Sequence, residues 1–230
     1  MNQYSECFYC GQSYHQFKES GRLNCNNCYK VFYSESKEYS KVIFSTHEIF
    51  KKKIPKNIPI AENLEIRYRI ARNFKGTKFD ELNRSEIKEK LDEILKSKQP
   101  IPELEFIFLD EDQLRIIGFP KNFMELRSMV KVTNQFSSKK DFVYDKQKGF
   151  LTACPTNSGR GNKVSVRFSF LLKSKKTLTE ILSYKFGYRL SPRYPEIGKE
   201  VELILYIKNP NYHQTIKFLK ICSYIIDSIK

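Results

Sequence analysis

The sequence predicts an α+β protein, an antiparallel sheet flanked by helices, preceded by a small N-terminal module held by metal. Three observations carry this expectation. Val164, Val166, Phe168, Phe170 and Leu172 alternate at the period of a half-buried strand. Ile87, Leu91, Ile94 and Leu95 instead share one face of a helix. The third is a pair of Cys-x-x-Cys turns, Cys7-Phe8-Tyr9-Cys10 and Cys25-Asn26-Asn27-Cys28. With 230 residues, 40% of them hydrophobic, the chain can hold one ordinary domain with a real core beside such a module.

In chain order, residues 1–50 form the metal module. Each Cys-x-x-Cys turn aims two sulfurs at one centre, and two turns complete a tetrahedral shell for zinc. So short a segment has too few apolar residues to fold without a staple. A shell closed by Cys7, Cys10, Cys25 and Cys28 leaves no open position, so the zinc is expected to be structural. Disulfides are the weaker alternative, because this spacing in a reducing compartment favours metal. His15, between the pairs, reads as a surface residue. Residues 51–60 combine Lys51, Lys52 and Lys53 with Pro55 and Pro59 and read as a semi-rigid linker. The main domain, 61–230, opens with an irregular arginine-rich segment. A helix over 84–97 follows, then strands over 104–109 and 114–119, a helix over 122–136 and the alternating strand over 164–172. A helix over 177–186, a strand over 201–207 and a helix over 212–229 complete it.

Lys and Arg number 41 against 26 Asp and Glu, a net charge of +15 that attracts phosphate-bearing partners: nucleotides, nucleic acid or acidic proteins. Part of this excess reads equally well as solvated surface. No basic region followed by an apolar core opens the sequence, and no run has the length of a membrane-spanning helix. A soluble cytoplasmic protein without a membrane partner is therefore expected.

The segment from Gly149 to Gly161, GFLTACPTNSGRG, sets Cys154 between a strand-like run and a turn of Pro, Asn and Gly. Such a thiol is either a small buried hydrophobe at a strand end or a cleft-edge group whose thiolate is stabilised by cations and backbone N–H groups. Through Thr152, Cys154, Pro155, Thr156, Asn157 and Gly159, the segment resembles the cysteine signature of the phosphagen (ATP:guanidino) kinases. The stretch from Cys7 to Phe32 resembles the zinc module of the activator protein that accompanies bacterial protein arginine kinases. The matching features are the Cys-x-x-Cys-Gly opening, Phe17, Gly21-Arg22 and the close Cys28-Tyr29-Lys30-x-Phe32. Their occurrence in one chain makes each match more specific.

The resemblance implies a shortened guanidino kinase catalytic domain, over most of residues 64–230, and a role for several residues. Phosphoryl transfer to a guanidinium needs cations for the nucleotide phosphates, carboxylates for the acceptor nitrogen, and exclusion of water. Between Leu64 and Asn73, alternation aims Arg67 and Arg69 the same way, and the family pattern puts both on phosphate-gripping positions. Glu65 and Ile66 replace the family's preceding serines, and a solvated basic strand is the plain alternative. In Asp110-Glu111-Asp112-Gln113-Leu114-Arg115, the resemblance implies Glu111 as a catalytic carboxylate and Arg115 as a phosphate ligand, with Gln113 in place of a His. Taken alone, that stretch reads as a turn with solvated acids. In Ser191-Pro192-Arg193-Tyr194-Pro195-Glu196 it implies Glu196 as the second carboxylate. Glu111 and Glu196 would bracket the planar guanidinium, and Cys154 would contact it as a thiolate. Lys163 and Ser191 stand where the family has phosphate-binding arginines, with Arg160 or Arg193 as substitute cations. The stretch between Asn73 and Asp110 is shorter than the family's.

The cofactors implied are structural Zn2+, ATP and Mg2+. The sequence has no counterpart of the helical domain that precedes the catalytic domain in metabolic phosphagen kinases, which shifts the expected acceptor from a small guanidino compound to a protein arginine side chain. Three functions compete: an arginine kinase with a fused activator, a silent kinase-like regulator of a complete arginine kinase, and a zinc-ribbon nucleic-acid binder. The third is weakest, since no regular interleaving of aromatic and basic residues supports it. The assemblies these readings allow are a homo-oligomer or a pairing with a second arginine kinase subunit.

Overall fold

The computed structural model of the chain describes residues 6–32, 58–62, 64–96, 104–184 and 186–229. They fall into two compact units, one drawn from residues 1–43, 69–117 and 132–162, the other from 44–68, 118–131 and 163–230. The greater part of the expected linker, 51–57, lies outside the described residues.

In the first unit the metal module supplies two short helices, α1 (Tyr14–Ser20) and α2 (Cys28–Val31). Ser13 and Gln16 form a capping box at the start of α1, and Gly21, at φ 66°, ends it in the left-handed conformation. Phe17 and Phe32 stack with centroids 6.0 Å apart. This small core is not self-contained. Leu23, Tyr29 and Phe32 form one buried cluster with Phe79, Val143, Leu151 and Ala153, which lie far along the chain. Apolar area missing from the module is thus supplied by the main domain.

The arginine-rich segment, expected to be irregular, is a strand: β1 (Glu65–Arg72) buries Ile66, Tyr68 and Ile70 at period two. Its exposed positions carry the charges that disguise it. Asn83 and Glu86 cap α3 (Arg84–Leu95), which buries Ile87 and Leu91. Next come β2 (Leu104–Phe108) and β3 (Leu114–Gly118), the latter buried throughout. α4 (Phe123–Thr133) belongs to the second unit as far as Lys131, and its last residues run on in the first unit into a 3-10 turn over Asn134–Ser137. A two-stranded antiparallel pair, β4 (Tyr144–Asp145) and β5 (Gly149–Phe150), leads into the Cys154 turn. In this unit the strand order is β2-β3-β1.

The second unit holds β6 (Asn162–Leu171), α5 (Lys175–Leu182), β7 (Gly187–Ser191), β8 (Glu200–Lys208) and α6 (Tyr212–Ile229). β8 pairs antiparallel with both β6 and β7, and the strands run in the order β1-β6-β8-β7, with only the opening residues of β1 in this unit. α6 packs on β8 with Phe218, Leu219, Ile221 and Cys222 buried. Cys222 is a core residue, its thiol pushed up by burial. α5 stops at Leu182, short of the expected 186, and Phe186 packs edge-on against Phe218 at 4.9 Å. The antiparallel sheet flanked by helices is the predicted class. Among the described residues, no helix is long and apolar enough to cross a membrane.

Candidate zinc centre and guanidinium site

The four cysteine sulfurs Cys7, Cys10, Cys25 and Cys28 lie within 4.8 Å of one another. Neighbouring sulfurs stand 3.7 Å (Cys7–Cys25), 3.4 Å (Cys10–Cys28) and 3.5 Å (Cys25–Cys28) apart. A tetrahedron with zinc–sulfur bonds of about 2.3 Å spaces its sulfurs at about 3.8 Å, so the group fits zinc. The hydrogen bond from Cys28 holds Cys25 down at about 5, burial pushes Cys10 up to about 11, and the Cys25 neighbour and burial push Cys28 far higher. Four crowded thiolates need a cation among them. Gln12, buried, braces the shell by donating to the Arg22 carbonyl at 2.6 Å and accepting from the Asn24 N–H at 3.0 Å. His15 sits exposed on α1 beside Glu19, apart from the cluster, as expected.

The acidic motif leaves β2 through Leu109, at φ 55°, and turns into β3. Its three acids have three environments. Asp110 pairs with Arg115 at the surface. Glu111, half-buried, accepts from Arg115 Nη2 at 3.4 Å and from Asn157 Nδ2 at 3.3 Å, which ties it to the Cys154 turn. Asp112 is not solvated: its Oδ1 accepts from Asn73 Nδ2 at 2.8 Å and from the Ala153 N–H at 2.7 Å, and its Oδ2 has no hydrogen-bond partner among the described residues. Burial raises its pKa to about 6. Gln113 accepts from the Phe74 N–H through Oε1 and donates through Nε2 to Thr77 Oγ1 and the Lys78 carbonyl.

Cys154, half-buried, stands at the start of the 3-10 turn Pro155–Asn157, its Sγ 3.1 Å from Thr156 Oγ1. The turn is closed below by a two-way bridge, Phe150 N–H to the Gly159 carbonyl at 2.7 Å and Gly159 N–H to the Phe150 carbonyl at 3.2 Å. A cavity of about 280 Å³ opens beside it, lined by Arg22 and Leu23 of the metal module, Phe79, Glu111, Asp112 and Ala153 among others.

The remaining sequence candidates are less closely gathered. Arg69, half-buried on β1, lies near enough to Asp112 to lower its pKa. Arg72, on the same strand, is a structural group: Nε donates to the Phe136 carbonyl at 2.7 Å, and the guanidinium stacks 3.9 Å from the Phe150 ring. Arg160 is exposed just past the turn. In the second unit, Arg67 is exposed over Phe119, and Lys163 sits 3.6 Å over the Tyr206 ring. Glu196 is exposed in the same unit, on the loop between β7 and β8, beside exposed Tyr194 and Ile197.

Two family matches interpret these groups. Residues 5–55 match the McsA central zinc-finger domain, and residues 105–200 match the ATP:guanido phosphotransferase C-terminal catalytic domain. The chain thus carries two matches side by side, to a McsA-type zinc finger and to a guanido phosphotransferase catalytic domain, each over less than half of its length. Over 68 residues it is 37% identical to the protein-arginine kinase activator protein of Bacillus subtilis (strain 168), covering 30% of this chain and 36% of that protein. It is also 37% identical over 68 residues to the protein-arginine kinase of the same organism, covering 28% of this chain and 18% of that protein. The chain therefore spans little more than a third of one curated relative and under a fifth of the other. The duplicated taurocyamine kinase from Schistosoma mansoni with bound transition state analog components has the same fold, with a TM-score of 0.64 at 14% identity over 98% of this chain and 44% of that one.

Sequence reasoning missed what connects the zinc finger to the phosphotransferase domain. Tyr29 follows the ligand Cys28 and is buried, its hydroxyl 2.5 Å from the Thr152 carbonyl and 2.5 Å from Ser158 Oγ. Burial raises its pKa, so it stays a neutral hydroxyl. A tyrosine directly after a metal-binding turn was the one available signal. Its partners lie more than 120 residues on, where no local pattern reports them.

Proposed function

We propose that this protein is an ATP-dependent guanidino phosphotransferase acting on arginine side chains of protein, with its zinc finger serving as a fused activator. The observation that carries this reading is the hydrogen bond from Asn157 to Glu111, which holds a carboxylate beside the Cys154 turn inside the phosphotransferase domain. Similarity to an arginine kinase activator and an arginine kinase at once supports the choice of acceptor.

In this reading Glu111 orients the guanidinium and takes the proton released as the new N–P bond forms and the bond from the γ-phosphorus to its bridging oxygen breaks. Cys154 faces the same planar cation as a thiolate, with the Thr156 hydroxyl 3.1 Å away to stabilise its charge. Glu196, on its exposed loop, is the second carboxylate of the clamp. Arg67, Arg69, Arg115, Lys163 and Arg160 are the cations this reading assigns to the nucleotide phosphates. Mg2+, when bound with ATP, supplies neutralisation of the charge that develops on the phosphates.

The test is incubation with magnesium ATP and an arginine-rich protein, reading acid-labile phosphate on arginine. Glu111→Gln, Glu196→Gln and Cys154→Ala are each expected to lower kcat by about 100-fold or more. No phosphoarginine from the wild type, or unchanged product from all three variants, overturns the reading. A second reading, a catalytically silent regulator of another arginine kinase, is favoured by the pairing of Arg115 with Asp110 and Glu111 and by Lys163 seated on Tyr206. Nucleotide-dependent thermal stabilisation without turnover selects it.

A further inference from the structure

The zinc finger touches the Cys154 turn through two sets of bonds, and one of them grips the turn at both ends. Tyr29 Oη lies 2.5 Å from the Thr152 carbonyl, accepts from the Thr152 N–H at 3.2 Å and lies 2.5 Å from Ser158 Oγ. Thr152 and Ser158 flank Cys154 on either side, and their hydroxyls stand 3.1 Å apart. Leu23 N–H donates to the Ala153 carbonyl at 2.8 Å, and the Asn24 carbonyl accepts from Phe79 N–H at 2.7 Å. All of these groups except Asn24 are buried.

The position of Tyr29 is set by the metal shell. It follows Cys28, the first residue of α2, a helix of four residues that cannot hold itself together in water. Four sulfurs around one cation fix the start of that helix, and the helix fixes the hydroxyl. Without the metal, the crowded thiolates repel and the grip on Thr152 and Ser158 has no rigid support.

We propose that Tyr29 is a positioning residue through which zinc occupancy sets the geometry of the Cys154 turn, making the guanidinium site metal-gated. The inference rests on the phosphotransferase reading for its consequence in catalysis, but the coupling between metal and turn stands on these bonds alone. The zinc-loaded finger holds Thr152 and Ser158, the turn between them presents Cys154 beside Asn157, and Asn157 in turn holds Glu111. Metal loss releases the turn and with it both groups that face the acceptor.

The readout that separates this from the catalytic reading is the alkylation rate of Cys154 by iodoacetamide, resolved from the other five cysteines by peptide mass spectrometry. It needs no turnover. Tyr29→Phe keeps the ring and removes the oxygen. It is expected to raise the Cys154 rate about tenfold at unchanged zinc content, because two buried partners lose their bond. Ser158→Ala, which removes one partner, is expected to give a smaller rise in the same direction. Chelation of the wild type is expected to raise the rate at least as much, and to add less than about twofold once Tyr29→Phe is in place. If the wild type phosphorylates arginine, Tyr29→Phe should lower kcat with the KM for ATP unchanged. An unchanged Cys154 rate in Tyr29→Phe and Ser158→Ala, or full additivity of chelation and Tyr29→Phe, overturns the proposal. Loss of phosphorylation activity with the labelling pattern intact counts against the catalytic reading and leaves the gating established.

Discussion

Asp112 is the residue whose environment departs furthest from what its neighbours suggest. In a run of three acids it reads as solvated, yet it is buried, with one oxygen accepting two hydrogen bonds and the other without a hydrogen-bond partner among the described residues. Burial lifts its pKa from the ordinary 3.8 to about 6, so the folded state holds this proton where the unfolded chain has released it. Stability at this site is therefore highest below pH 4 and declines as pH rises to about 6, where the decline ends. Asp112→Asn removes the titration. The stability of the variant minus that of the wild type, from urea melts, should climb by roughly 3 kcal/mol across this window and be flat above it. A flat difference throughout would show that the carboxyl titrates normally. The burial of Asp112 was illegible in the sequence because it is created by Asn73 and Ala153, which approach from other parts of the chain.

At the scale of elements, legibility followed the source of each signal. β6, β8, α3 and α6 carry their apolar period in their own residues, and the expected and observed spans agree to within a few positions. β1 was masked by arginines on its outward positions, and β7, five residues with half its face exposed, carries too few apolar positions to read as a strand at all. The zinc ligands were legible because spacing alone defines the chemistry. The β5 to Cys154 connection carries an element-scale prediction. Gly149 sits at φ 79°, and a Cβ there would stand 2.3 Å from the Gly159 carbonyl oxygen, across the bridge that closes the turn. Gly149→Ala should therefore cost roughly 3 kcal/mol and increase amide exchange at Phe150 and Gly159, which hydrogen–deuterium exchange reads directly.

Over the whole molecule, the zinc finger belongs to the same compact unit as much of the phosphotransferase domain, and the two share one buried cluster. Metal removal is therefore not a local event. Chelation is expected to lower Tm by about 10 °C or more and to raise amide exchange over residues 150–159 in the same step as over residues 6–32. Exchange that rises only in the finger would show the two to be independent. A finger that merely decorated the domain would leave Leu151 and Ala153 without the apolar neighbours they have here.

The bond from Tyr29 to Ser158 joins residues 129 positions apart. During synthesis at 5–20 residues per second, the finger is complete roughly 6–25 s before its docking surface exists. Cysteines spaced 18 and 3 apart can capture metal in that interval by short-range closure, whereas the long closure waits for β5 and the turn after it. The newborn chain thus carries a loaded finger with Tyr29 still bare to solvent, and the arrival of Thr152 and Ser158 covers it. Order of birth sets the metal shell in place before the turn that Tyr29 grips has been made.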